Sequence, residues 1–371
     1  MTRDTLPYRL SLETRMDFSL TPEQELLQET LRSFVAKECP PPQVRKIFDG
    51  ERGAVPALRK GLVELGIAGL VVPEQHGGAG LELLELALAA EELGRGAVPV
   101  PFLGAALATL ALVEGGSAAQ QARWLPRLAA GETRATIALA EPGGRWLPSE
   151  WSADFARGRL TGTKPFVPEA ADAELFVVGA AGGALALVEA GPGVRVTPEP
   201  TLDRGRPLAT LELAAAPAEP LAGAAAQRLF DAASVLLAAD AFGAAHQLVR
   251  ATAAYVMTRQ QFGQPLAQFQ AVKHQLANMA LDIDPTRGLW WYAAHAHDHA
   301  PADAPRAAAL AKAHVTDRAQ QVARDAVEAH GGIGFTWECD VQIWFKRVMF
   351  DRLWLGAPEL HRERFAQLEG W

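Results

Sequence analysis

A double change of periodicity constrains this chain more than any other feature. Apolar residues recur at helical spacing from Ser19 to about residue 132, give way to short β-like runs from Thr133, and return to long helical patterns from Arg228 onward. A period near 3.6 marks amphipathic helices, and alternation marks half-buried strands. The pattern predicts a multidomain α+β protein. An extension over 1–15, whose charges show no period, precedes an N-terminal α-helical domain over 16–132. A middle β-barrel or β-sandwich domain over 133–222 and a C-terminal four-helix bundle over 223–371 follow. The 371 residues suit two or three domains at roughly 150 residues each.

Local signals place the elements. Thr21 can cap a helix, Pro22 suits its first position, and Gln24 completes a capping box. Leu27, Leu31, Phe34 and Val35 then follow at helical spacing, and further helices are expected over 55–65, 82–95 and 103–113. The glycines of the 73–80 segment permit left-handed turns and break the pattern. Strands are expected over 136–140, 175–179, 184–189, 194–197 and 210–214, with a linker over 214–226. Helices over 229–258, 269–283, 287–298 and 307–330 complete the bundle.

Charge excludes some functions. Lys+Arg 35 against Asp+Glu 43 leaves a net charge of −8, the wrong sign for general binding to a phosphate backbone. The two cysteines, Cys39 and Cys339, are far apart and form no zinc-like cluster, so no metal site is expected. No purely apolar run reaches the ~18 residues that suggest a membrane span. A cytoplasmic protein without nucleic-acid or membrane partners is the expectation.

Two motifs invite a cofactor. Gly331-Gly332-Ile333-Gly334 looks like a phosphate loop, yet it follows a helix rather than a strand, and a glycine helix stop explains it equally. Arg259-Gln260-Gln261-Phe262-Gly263, with Gln270 beyond it, offers a fork for phosphate, a flat face and an amide. An arginine that complements a helix dipole explains it as well.

Their order along the chain goes further. The helix start at 18–24, the 73–80 turn, Ala138-Leu139-Ala140-Glu141-Pro142, the 259–263 motif with Gln270, and the 331–335 glycines together resemble the acyl-CoA dehydrogenase family over residues 16–371. The resemblance implies FAD at a subunit interface of a homo- or heterotetramer. An acyl-CoA thioester would lie against the flavin, and electron-transfer flavoprotein or a similar acceptor would be the redox partner. It assigns Leu139, Phe166 and Val167 to the flavin ring, and Arg259, Phe262, Gln270, Glu328, Gly331 and Gly332 to the rest of the cofactor. The implied reaction is α,β-dehydrogenation, in which a carboxylate removes the α-proton while hydride leaves the β-carbon.

The expected base is missing. The turn that carries it in such proteins matches Trp354-Leu355-Gly356-Ala357, with Leu355 at the base position, and the second known location matches Ala233 beside Ser234. Asp240 is the remaining acid on that helix face, two turns beyond Ala233. It is the candidate catalytic base if burial raises its pKa, or a structural aspartate if it is paired. Glu91, Glu92 and Glu141 are expected to be solvated or capping. Ala140 and Pro168 replace two hydroxyl donors expected near the ring, and Glu328 stands where a glutamine is common. Small residues around 89–108 and 233–245 hint at a roomy cavity. Alternatives to a self-sufficient dehydrogenase are a base-less partner subunit of a heterotetramer, or a desulfinase-like elimination enzyme on the same fold.

Overall fold

The structure, a computed structural model, describes residues 19–223 and 226–371; the 1–15 extension lies outside the described residues. Six helices build the N-terminal domain: α1 (Pro22–Glu38), α2 (Pro41–Phe48), α3 (Val55–Glu64), α4 (Leu83–Arg95), α5 (Leu103–Gly115) and α6 (Ala118–Ala129). The predicted capping box forms, since Thr21 N–H donates to Gln24 Oε1 at 2.9 Å and Gln24 N–H donates to Thr21 Oγ1 at 3.3 Å. Helices α2 and α6 were not predicted. Prolines that interrupt a pattern can also open a helix, as Pro41 does for α2. In α6 a Ser117–Gln120 capping box outweighs the internal Pro126.

The middle domain holds strands β1 (Ala135–Ala138), β2 (Asp154–Ala156), β3 (Arg159–Pro168), β4 (Leu175–Ala180), β5 (Ala184–Glu189), β6 (Val194–Glu199), β7 (Leu208–Pro217) and β8 (Glu219–Pro220). They form two four-stranded sheets, ordered β1-β4-β5-β8 and β2-β3-β7-β6, rather than a closed barrel. β3 was missed because Gly162 and Pro165 interrupt its alternation, and its pairing with β7 shifts register between Lys164 and Val167. The expected linker over 214–226 instead contains the end of β7 and the short β8.

Among the described residues the C-terminal domain holds the four expected helices, α7 (Ala226–Thr258), α8 (Gln270–Ile283), α9 (Arg287–His299) and α10 (Ala304–Ala329), followed by α11 (Val341–Leu353) and α12 (Pro358–Glu369). α7 is long and apolar enough to cross a membrane, but 83% of its most apolar window is buried inside the protein. It is the central core helix, and its apolarity serves packing.

Two glycines let α4 and α7 approach closely. A Cβ on Gly94 would lie 2.1 Å from the Asp240 carbonyl oxygen, and one on Gly243 would lie 1.9 Å from the Glu91 carbonyl oxygen. Backbone meets backbone at those two crossings. Gly243→Ala is expected to force the helices apart and cost about 1–3 kcal/mol, read as a lowered unfolding midpoint. An unchanged midpoint would mean that the contact is looser than described.

Candidate active site

The turn after α11 is built rigidly. Leu355 has φ +71 and is fully buried. Beneath it, the buried Lys312 ammonium donates to the carbonyl oxygens of Asp351 and Arg352, which caps the end of α11. His361 Nε2–H donates to Leu355 O at 3.1 Å. Burial pushes Lys312 down to about 7 and His361 well below its ordinary value. The turn is thus held by nitrogen donors and presents no carboxylate. The other base location is equally inert, because Ala233 is buried and Ser234 Oγ donates back to Phe230 O at 2.9 Å.

Asp240 is paired. Arg347 grips it with two bonds, Nε to Oδ1 and NH2 to Oδ2, both 2.8 Å, and Arg206 NH2 reaches Oδ2 at 2.5 Å. Arg206 also bonds Asp351. Burial alone raises the Asp240 pKa, but the two guanidiniums outweigh it and hold the carboxyl at about 2. Burial and the neighbouring Asp240 push the Asp351 carboxyl well up. The raised pKa anticipated for a base at Asp240 is therefore absent. This carboxylate ties the β6–β7 loop to α7 and α11, and Arg347 NH1 donates onward to Val98 O at 3.1 Å.

The ring-side residues differ in exposure. Leu139 and Val167 are each 1% exposed, whereas Phe166 is 38% exposed. Phe166, at φ +56 in the β3 bulge, lines a cleft of about 350 Å³ together with Trp146, Phe350 and Trp354. Trp146 stacks on Phe166 with centroids 6.1 Å apart, and Trp354 Nε1–H donates to Phe166 O at 2.9 Å. Trp146 and Trp354 thus cover part of Phe166, which stays 38% exposed to the cleft. Of Leu139, Phe166 and Val167, Phe166 is the one open to the cleft.

The nucleotide-side residues are exposed. Tyr255 stacks on His330 at 4.3 Å, which brings the end of α7 beside the end of α10. Around that junction Arg259, Phe262, Gln270, Glu328, Gly331 and Gly332 all face outward. Phe262 is 92% exposed, and the Arg259 guanidinium has no ion pair or hydrogen bond among the described residues. Gly331, at φ +66, ends α10, so the helix-stop reading of the glycines holds. A Cβ on either Gly331 or Gly332 would meet nothing of this chain, leaving backbone open to a ligand or a neighbour. These six fit the nucleotide half of FAD.

Comparison with known proteins places this geometry. Residues 21–132 match the model for the acyl-CoA dehydrogenase N-terminal domain, and residues 223–368 match that for the acyl-CoA dehydrogenase C-terminal domain. The chain belongs to the acyl-CoA dehydrogenase family. Acyl-CoA dehydrogenase IpdE2 of Mycolicibacterium smegmatis is 34% identical over 359 residues, covering 94% of this chain and 99% of its own. A solved steroid ACAD, Tcur3481-Tcur3483, matches with TM-score 0.87 and 32% identity over 94% of this chain and 98% of that one. The ChsE4-ChsE5 complex of Mycobacterium tuberculosis matches with TM-score 0.87 and 29% identity over 96% of this chain and 99% of that one.

Within this acyl-CoA dehydrogenase the other acids are buried and engaged, not solvated. Glu91 bonds Arg95 and Arg287, both at 2.6 Å, and Glu92 bonds Arg32 at 2.7 Å. Glu141 pairs with the buried Lys164 and accepts from Ser152 Oγ at 2.8 Å. The sequence reading passed over Trp146, Arg206 and Arg347. None of the three stands in a motif that the sequence alone singles out.

Proposed function

We propose that this acyl-CoA dehydrogenase homologue acts in FAD-dependent α,β-dehydrogenation of an acyl-CoA thioester as the base-less subunit of a hetero-oligomer. In this reading it holds the nucleotide end of a cofactor whose ring and base belong to a neighbouring, related subunit. The lack of a carboxylate at both expected base positions, beside a nucleotide side that faces outward, carries this reading. FAD, when bound, accepts the hydride from the thioester's β-carbon. Arg259 supplies a bidentate fork for phosphate, Phe262 a flat face, Gln270 an amide, and the Gly331–Gly332 backbone a surface without side chains. None of these groups moves a proton. Their work is to bind and orient, while the carboxylate of the neighbour takes the α-proton.

The relatives support this assembly and its substrate class. Two structural neighbours carry paired chain names, Tcur3481-Tcur3483 and ChsE4-ChsE5, and one is titled a steroid ACAD. A steroid-derived acyl group is the substrate class proposed. Electrons would pass to an electron-transfer flavoprotein, consistent with a further structural neighbour of that title.

Purified alone, the chain is expected to lack flavin absorbance. Co-purified with a paralogous subunit, it should give a yellow complex with one FAD per two chains. Arg259→Ala in this chain alone should strip the flavin from that complex. A yellow, active homo-oligomer carrying one FAD per chain would overturn the reading.

A further inference from the structure

A second, unassigned cation stands beside the nucleotide-side residues. Arg324 and Glu328 lie four residues apart on α10, on one face of the helix, and both are exposed. Neither has an ion pair or a hydrogen bond among the described residues. With Phe335, Trp337, Phe345 and Lys346 they line one groove of about 620 Å³. Phe335 is 79% exposed, so its flat apolar face looks into solvent, while Trp337, 42% exposed, packs against Arg204 and Lys346. Lys346 Nζ sits 4.2 Å above the Trp337 ring and bonds Gln342 Oε1 at 2.6 Å, with no carboxylate partner. The groove therefore carries two cations and one acid, in a chain whose net charge is −8.

This combination has a specific chemistry. Exposed aromatic faces suit a base, a carboxylate suits ribose hydroxyls, and guanidinium suits phosphate. Glu328 creates a difficulty, however, because a carboxylate within a few ångströms of a diphosphate is repelled by about 2–4 kcal/mol at surface-like screening. A cation on the same helix face removes that cost.

Building on the reading above, we infer that Arg324 is a phosphate-binding residue for a nucleoside diphosphate laid in this groove. Its guanidinium engages the diphosphate and offsets Glu328, which holds the ribose, and Lys346 adds positive charge from α11. The diphosphate belongs to the FAD shared with the neighbouring subunit. The same chemistry could come from coenzyme A, so the test separates the two sources.

The test uses the co-purified complex, stripped of flavin and titrated with FAD, with flavin fluorescence read at low and high salt. Arg324→Ala should raise the FAD Kd roughly tenfold or more and flatten its salt dependence. Glu328→Gln placed on top of Arg324→Ala should recover much of that loss, since the repulsion that Arg324 offsets is gone. Unfolding midpoints should not move, because Arg324 is exposed and unpartnered. If Arg324→Ala stays within about twofold of wild type while Arg259→Ala releases flavin, the inference about Arg324 is wrong and the proposed function stands. If neither variant affects flavin, the proposed function itself fails. A raised KM for the thioester with an unchanged FAD Kd would assign the groove to coenzyme A and overturn the cofactor assignment.

Discussion

Asp240→Asn is expected to destabilise the protein by about 3–5 kcal/mol, the usual cost of breaking a buried ion pair by removing one partner. The reason lies in what is left behind. Arg347 and Arg206 are 3% and 4% exposed, and neither guanidinium can lose its proton. Arg206 would retain Asp351, but Arg347 would keep only neutral acceptors, the Val98 carbonyl and the new amide oxygen. Denaturant unfolding should show the loss as a lower midpoint with an unchanged slope. A double variant, Asp240→Asn with Arg347→Met, should be less damaged than the sum of the two single changes, because the second removes the orphaned charge. Coupling of about 0.5–3 kcal/mol is the range for residues in one ion-pair network. The same experiment tests the base assignment. A folded, flavin-loaded complex containing Asp240→Asn should retain turnover in proportion to its folded fraction, and selective loss of turnover at full stability would return Asp240 to catalysis.

Asp240 also shows where sequence reasoning ends. An acid within Val235-Leu236-Leu237-Ala238-Ala239-Asp240-Ala241-Phe242 is legible as an anomaly, and both outcomes, catalytic and paired, follow from the cost of burying charge. The choice between them depends on Arg206 and Arg347, 34 and 107 residues away along the chain. The α–β–α order, the Thr21 capping box and the helix stop at Gly331 were legible because periodicity and capping are local. Gly94 and Gly243 were ambiguous in the same way as Asp240. Small residues can line a cavity or let two backbones touch, and only the approach of α4 to α7 decides. Of the site, the outward-facing residues around 259–270 and 328–332 could be named from motif order, but the aromatic packing around Phe166 could not. It requires Trp146, which belongs to no motif, to reach Phe166 and Trp354.

A pH-dependent stability is expected from Glu169. This residue ends β3 at φ +49, and its N–H donates to Pro207 O at 2.9 Å. Its Oε2 is buried with no partner. Burial pushes its pKa up to about 7, against the pull of Arg206, Arg347 and Arg52 and with a further push from Asp203. The folded protein therefore binds a proton that the unfolded chain releases from about pH 4.5 upward. This contribution is fully present below that pH and is lost as pH rises through about 7. At about 1.4 kcal/mol per tenfold change in acidity, it amounts to about 3 kcal/mol. Lys312, held down at about 7, acts in the opposite direction only above that pH, so the two windows separate. Glu169→Gln keeps the shape and removes the titration. Its unfolding free energy should match wild type near pH 4.5 and exceed it by up to about 3 kcal/mol at pH 8. Asp203 and Asp351, also raised by burial, titrate in both proteins, so the difference between the two curves isolates Glu169. A constant difference across that range would show that the Glu169 carboxyl is solvated, and with it that the β6–β7 loop does not seal this corner against water.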